Sequence, residues 1–207
     1  RGNIGEHSVG LVPQRHWTGT LPVPGAGGYE WTGFVPMADL PHSYNPPAGY
    51  IATANHKMIP EHYPYNVGFE WDPGYRFERI SEYFAAAQQH NHKLGSVDMQ
   101  ALQNDVVSLP ALAFQKLLRA TTLGNDPYLS GFLRWDGTLT RESADAALFE
   151  VWFTRHLKPA LFQRLVRDPQ ARALLVPGDV EGILHALHVH FRVHVKSIEP
   201  AIEAIYR

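Results

Sequence analysis

The chain has 207 residues, of which 44% are hydrophobic, so it is long enough to bury the core of one large domain or two small ones. Its 18 basic and 20 acidic side chains give a formal charge of −2, which argues against a nucleic-acid or anionic-membrane partner. It has no cysteine, which excludes disulfides, thiolate metal sites and a cysteine nucleophile within these residues. No apolar run reaches the roughly 20 residues that span a bilayer.

The composition of the first third of the chain is typical of short strands and ordered loops. Most of the 17 glycines and 16 prolines lie before residue 76, and this density works against long helices. We expect strands at residues 9–12, 29–35 and 50–54, where β-prone residues lie between the turns. The third of these lies in the stretch GYIATANHK, which ends in the polar side chains of Asn55, His56 and Lys57.

From Tyr75 onward, apolar residues recur at helical spacing. The first such segment predicts a helix that begins near Tyr75. Ser96 is the predicted N-cap of a second helix, with Asp98 near the positive end of its dipole. A single helical stripe is then expected to continue through Met99, Leu102, Val106 and Leu109.

Two further apolar patterns lie in the last third of the chain. One covers residues 143–166, where Pro159 is expected to kink the helix. The other, over residues 180–206, predicts a final helix that continues up to Pro200. Because strands precede helices, the architecture is α+β, and we divide the sequence into residues 1–74 and 75–207.

Two side chains are candidates for chemistry, and each has a plainer alternative. Asn55, at the end of an apolar run, could donate its side-chain amide to an oxyanion, or it could form a turn by bonding its own backbone. Arg76 could orient a carboxylate or a catalytic Asn through bidentate bonding. It could equally be a solvated or salt-bridged surface residue. Residue types and spacing alone leave both alternatives open.

A histidine cluster lies near the end of the chain, in LHALHVHFRVHV. Its members are His185, His188, His190 and His194. The last two are one helical turn apart and could bind a metal ion together, although no Glu lies between them as in the zincins. Partly buried or surface histidines are the alternative. The sequence has no nucleophile elbow, phosphate-binding loop or dinucleotide fingerprint.

Several short elements follow one another in the stretch LPVPGAGGYEWTGFVPMADLPHSYNPPAGYIATANHK, residues 21–57. They are a Pro-Val-Pro-Gly turn, an aromatic-Trp-x-Gly-aromatic-x-Pro segment, an Asn-Pro-x-x-Gly turn and a run that ends in Ala-Asn. This succession resembles the β-chain of the penicillin acylase family. GNIGEHSVGLVPQR, YPYNVGFEWDPGYRFERI and FLRWDG resemble its neighbouring parts. The resemblance extends to about residue 157 and does not include the histidine-rich tail.

The resemblance implies an N-terminal-nucleophile hydrolase with an αββα sandwich. Residues 1–74 would be its strand and loop part and residues 75–207 its mainly helical part. In such enzymes a Ser exposed by autoproteolysis attacks an amide carbonyl, and its own α-amino group acts as the base. A backbone N–H and an Asn side chain hold the oxyanion, with an Arg nearby. By this resemblance, Asn55 is that Asn and Arg76 is that Arg.

The first residue departs from this pattern. Arg1 is not a Ser, Thr or Cys, so we expect the chain to be an internal fragment of such an enzyme. The nucleophile, the α-chain and the rest of the β-chain would then be its missing partners, and the fragment alone would be inactive. The rival hypothesis is a non-catalytic binding or structural domain that keeps the family fold.

The implied substrate is a linear acyl amide, such as a phenylacetyl or fatty-acyl group on a β-lactam or a homoserine lactone. Trp31, Phe34 and Tyr50 are candidate acyl-binding residues, and they are equally candidates for the core. No cofactor is required. Family members that bind structural calcium take a carboxylate from the loop after the Asn, where this chain has Asn66. We expect a periplasmic or secreted location.

Overall fold

A computed structural model describes residues 2–19, 22–68, 71–121 and 126–170. The chain forms two compact units, Arg1–His92 and Lys93–Arg207. The predicted division at residue 75 rests on composition and apolar spacing, and it stays a prediction. The first long helix begins at that residue. The histidine cluster and the final predicted helix lie outside the described residues.

The first unit contains two small antiparallel pairs of strands. Strands β1 and β4 pair with Glu6 opposite Ser43, and β2 pairs with β3. The four strands are β1 (Gly5–His7), β2 (Pro13–Gln14), β3 (Gly33–Phe34) and β4 (His42–Tyr44). They are short because proline and glycine interrupt the hydrogen-bonding ladder.

The predicted strands at residues 9–12, 29–35 and 50–54 are wrong in extent. Val9 is 86% exposed and Gly10 has a φ of 136°, so the backbone turns where a strand was expected. Within residues 29–35 only β3 forms, and residues 50–54 pair with no strand among the described residues. Apolar alternation identified the extended backbone, but pairing depends on distant segments that alternation does not specify.

Helix α1 (Tyr75–Gln89) begins where the apolar spacing predicted. It covers the loop that precedes it in the chain. Tyr50 stacks on Phe84 with ring centroids 4.5 Å apart, and Gln88 Nε2 donates to the Ala48 carbonyl at 2.7 Å. The extended segment at residues 50–54 therefore rests on this helix.

The second unit is helical in its described part. Its helices are α2 (Ser96–Gln103), α3 (Leu109–Arg119), α4 (Pro127–Arg134), α5 (Ala144–Trp152) and α6 (Lys158–Leu165). None of the helices in the described ranges is long and apolar enough to cross a bilayer.

Two details of the helix predictions are corrected in this unit. Gly95, not Ser96, is the N-cap of α2, and the Asp98 carboxylate accepts from the Gly95 N–H at 2.7 Å. The expected stripe through Leu109 is two helices, because α2 ends at Gln103. Ser108 then caps α3 by accepting from the Ala111 N–H at 3.3 Å, which provides a separate start.

The predicted kink at Pro159 takes a different form. Residues Phe153–Leu157, between α5 and α6, adopt a π-helical turn, and Pro159 follows in the first turn of α6. Proline has no N–H to donate and its ring clashes with the carbonyl four residues earlier. That carbonyl belongs to Arg155, inside the wider π turn, which accommodates the proline.

An aromatic cluster forms the core of the second unit. Its members are Phe114, Phe132, Trp135, Phe149, Trp152 and Phe153. Phe149, 3% exposed, lies parallel to Phe132 with ring centroids 5.6 Å apart. Nearby, the buried Gln115 donates through Nε2 to the Phe132 and Trp135 carbonyls at 2.8 and 2.7 Å, which satisfies the end of α4.

Replacing Phe149 by Ala should lower the free energy of unfolding by about 3–5 kcal/mol, because it empties the centre of the cluster. Tryptophan fluorescence during denaturant unfolding would measure the change, since Trp135 and Trp152 contact this ring. The control is Tyr128→Ala, at a ring that is 69% exposed, where a loss below about 0.5 kcal/mol is expected. Equal losses in both variants would contradict this account of the core.

Candidate active site

A sharp bend in the first unit centres on Asn55. Asn55 has a φ of 59°, in the left-handed region that Asn tolerates better than most residues. Ala54 before it is buried, and the His56 ring after it stacks on Phe77 of α1 with centroids 3.9 Å apart. Its two neighbours are thus anchored, while Asn55 itself stays exposed.

Arg76 joins this bend to the first turn of α1. Its Nη2 donates to the Ala54 carbonyl at 2.8 Å and to Asn55 Oδ1 at 2.9 Å. Because a guanidinium has no acceptor, the Asn55 atom that faces it must be the amide oxygen. The Asn55 Nδ2 therefore faces elsewhere, and among the described residues no acceptor binds it. The sequence predicted both residues, and the structure brings them together.

Asp72 is the residue that the sequence reasoning missed. Its carboxylate pairs with Arg76 Nη2 at 2.5 Å, and its backbone N–H donates to the Asn55 carbonyl at 2.8 Å. The signal was weak, because an acid and an arginine four residues apart favour an ion pair on a helix, whereas Asp72 lies before α1 begins. The side chains are 55% and 59% exposed, so the pair contributes at most about 1 kcal/mol to stability.

The three aromatic candidates do not lie together. Trp31 and Phe34 pack edge to face with centroids 6.1 Å apart and are 60% and 44% exposed. Tyr50 instead lines a pocket of about 460 Å³ that neither of the other two lines. The wall of this pocket includes Leu40, Ile51, Ile59, Phe77 and His56. Of the three, Tyr50 lines the same pocket as His56, the neighbour of Asn55.

His56, which lines that pocket, has an unsatisfied polar atom in its ring. Its Nδ1 is buried and has no hydrogen-bond partner among the described residues. The ring is held in place by its stacking on Phe77. The pocket wall is mixed, because Glu6, Asp39, His42 and Ser43 line it beside the apolar side chains.

Two tyrosines attach the loop after the bend to Asp39. Tyr65 donates to the Asp39 carboxylate at 2.8 Å, and Tyr63 donates to the Asp39 carbonyl at 2.5 Å. The bond to the carboxylate is the main reason that the pKa of Tyr65 is raised, with burial and the Asp39 charge adding to it. Burial first, then the Asp39 charge, raises the pKa of Tyr63.

Asn66 does not lie in a calcium-binding arrangement of described residues. It is exposed and lines a second pocket, of about 370 Å³, together with Arg15 and His16. No carboxylate belongs to that wall, whereas calcium takes six to eight oxygens that usually include carboxylates. In the part of the chain that the structure describes, no three His, Cys, Asp or Glu residues cluster as metal ligands. These residues alone do not fit calcium.

A comparison with known families identifies the family of this chain. A family model described as Penicillin amidase matches residues 1–199. The chain belongs to the penicillin amidase family. The predicted resemblance is confirmed, and it extends further than expected, because the match continues past residue 157 into the histidine-rich tail.

Relatives within this family carry two kinds of name. The acyl-homoserine lactone acylase QuiP of Pseudomonas fluorescens strain Pf-5 is 30% identical, with 79% of this chain and 22% of that protein aligned. The penicillin acylase 2 proenzyme of Pseudomonas sp. strain SE83 is 31% identical, covering 73% of this chain and 20% of that protein. Penicillin G acylase of Escherichia coli is 30% identical, with 76% of this chain and 20% of that protein aligned. The chain spans about a fifth of the length of these relatives.

A solved structure shares the fold. It is a thermostable penicillin G acylase from Alcaligenes faecalis, similar with a TM-score of 0.60 and 23% identity over 83% of this chain and 33% of that one. The predicted fold class, α+β and part of an N-terminal-nucleophile fold, is confirmed.

We predict that the hydrogen bond between Tyr65 and Asp39 is lost at high pH. Because the pKa of Tyr65 is raised on folding, the bond adds stability below the ordinary tyrosine pKa of about 10 and is lost as pH rises through the higher folded value. In Asp39→Ala, a phenolate should therefore appear at lower pH in an absorbance titration. Tyr65→Phe identifies the signal, and an unchanged titration in Asp39→Ala would contradict the assignment.

Proposed function

We propose that this chain supplies the side-chain oxyanion donor of an acylase that hydrolyses linear acyl amides. Asn55 is the donor and Arg76 orients it. The observation that carries the proposal is the bond from Arg76 Nη2 to Asn55 Oδ1, 2.9 Å long, which leaves the amide N–H₂ group without an acceptor among the described residues. Family membership supplies the class of reaction.

The chemistry follows from where charge develops. As a nucleophile adds to the amide carbonyl, negative charge builds on its oxygen, and Asn55 Nδ2–H would bind that oxygen. A bond from a permanently charged guanidinium to Oδ1 polarises the amide and makes its N–H a stronger donor. The acyl carbon–nitrogen bond then breaks, and the amine leaves with the proton taken from the nucleophile. Water then cleaves the acyl–Ser ester, which releases the carboxylic acid and restores the nucleophile. The proposal assigns the nucleophile to an N-terminal Ser outside residues 1–207, with its α-amino group as the base.

The names of the relatives support the substrate class. Acyl-homoserine lactones and penicillins share an acyl group on an amide nitrogen, so we infer that this group is what the whole enzyme removes. Among the predicted acyl-binding residues, Tyr50 has the strongest support, because it lines the 460 Å³ pocket. Trp31 and Phe34 stay predictions.

The expected partner chains, location and calcium do not change the proposed chemistry. The α-chain and the rest of the β-chain would complete the enzyme, and a periplasmic or secreted location stays a prediction. A structural calcium stays a prediction that the proposed reaction does not require, and the residues that share a pocket with Asn66 include no carboxylate. Assays must use the full-length protein, which contains the proposed Ser.

In the full-length enzyme, Asn55→Ala should lower kcat for phenylacetyl or fatty-acyl amide hydrolysis by about 10²–10³-fold, because one oxyanion donor is lost. Release of the free amine measures the rate. Asn55→Asp tests the donor directly, since it keeps an acceptor for Arg76 but removes the N–H₂ group.

The matched control is Asn91→Ala. Asn91 is also exposed and has a φ of 50°, so this variant carries the same backbone cost without touching the site. We expect near-normal kcat from it. Near-normal turnover in Asn55→Ala would remove Asn55 from the mechanism, and a wild-type enzyme inactive on all acyl amides would favour a non-catalytic domain.

A further inference from the structure

Asp72 contacts both members of the candidate pair. Its carboxylate binds Arg76 Nη2 at 2.5 Å, and its backbone N–H donates to the Asn55 carbonyl at 2.8 Å. One residue therefore holds the main chain of the proposed donor and the side chain of the residue that orients it. The resemblance and the proposed mechanism assign no role to Asp72.

The carboxylate has a specific effect on the arginine. Arg76 Nη2 is shared by three acceptors, and Asp72 is the charged one among them. Hydrogen bonds between ionised groups are roughly twice as strong as neutral ones. Arg76 is 59% exposed, so without this partner its long side chain would regain rotamers that leave Asn55 Oδ1 without its donor.

The backbone of Asp72 is also restrained. Pro73 follows it, and a residue before proline is confined to extended conformations. That restriction limits the backbone freedom of Asp72, whose N–H binds Asn55 O at 2.8 Å. Helix α1 begins two residues after Pro73, so the bend at Asn55 is aligned with a rigid element.

We propose that Asp72 is a positioning residue for catalysis, which acts through Arg76 to hold the Asn55 amide toward the substrate oxygen. This rests on the proposed function of Asn55. Because the ion pair is exposed, its removal changes the orientation of the amide much more than it changes folding.

The test measures kcat and KM for an acyl amide in the full-length enzyme. Asp72→Ala should lower kcat about tenfold and leave KM within about twofold, because the oxyanion forms only in the transition state. Asp72→Asn keeps an acceptor of the same shape but not the charge, so it should lose about threefold. Both variants should unfold within a few degrees of wild type.

The matched control is Glu82→Ala. Glu82 forms an exposed ion pair with Arg79 on the same helix at 3.2 Å, but it does not contact the bend. Its removal should leave kcat unchanged. A loss in Glu82→Ala equal to that in Asp72→Ala would show a general effect of helix charge and overturn the proposal.

A double-mutant cycle separates positioning from a structural role. If Asp72 acts through Asn55, Asp72→Ala should cause no further loss of kcat in an Asn55→Ala background. An equal loss in both backgrounds, or full activity in Asp72→Ala beside a strongly impaired Asn55→Ala, overturns the role of Asp72 alone. Full activity in Asn55→Ala overturns the proposed function and this inference with it.

Should Asp72→Ala fail to fold, the same cycle is read from Asp72→Asn, whose side chain is isosteric. A loss of about threefold that disappears in the Asn55→Ala background supports the proposal. If Asp72→Asn folds with unchanged kcat while Asp72→Ala loses only stability, Asp72 is a structural residue. That result overturns the proposal.

Discussion

One nitrogen atom, Nη2 of Arg76, connects the parts of the candidate active site. It binds the main chain at Ala54, the side chain of Asn55 and the carboxylate of Asp72. A guanidinium suits this position because it only donates, keeps its charge at every pH of interest and has a planar, rigid head. The orientation of the Asn55 amide follows from that chemistry, since an oxygen must face a group that cannot accept.

Helix α1 provides the frame for this nitrogen. The bend before it contains no paired strand among the described residues, so ring stacking and side-chain bonds hold the loop in place. His56 lies against Phe77, and Tyr50 lies against Phe84, two turns further along the helix. Because Arg76 belongs to the same helix, the packing that supports the loop also sets the site's geometry.

The sequence predicted the local features of the molecule well. Helical spacing located the start of α1, and the order of short turn motifs indicated the family. The roles of Asn55 and Arg76 that the resemblance implies stay predictions. Features that depend on contacts distant in sequence were missed. The strand expected at residues 50–54 has no partner strand among the described residues, and the helix stripe after Ser96 did not reveal that Ser108 would start a second helix. Asp72 was missed because its importance lies in the contact with Asn55, 17 positions earlier in the chain.

The left-handed backbone at Asn55 restricts which residues evolution can place there. Few residue types enter this region readily, chiefly Gly, Asn, Asp and His. Gly has no side-chain donor, Asp has a negative charge that would repel the proposed oxyanion, and neutral His has one donor and one acceptor on a rigid ring. Asn combines an oxygen acceptor for Arg76 with a neutral N–H₂ donor on a short side chain. Chain geometry and chemistry thus select the same amino acid independently, so position 55 should tolerate less variation than its exposure suggests.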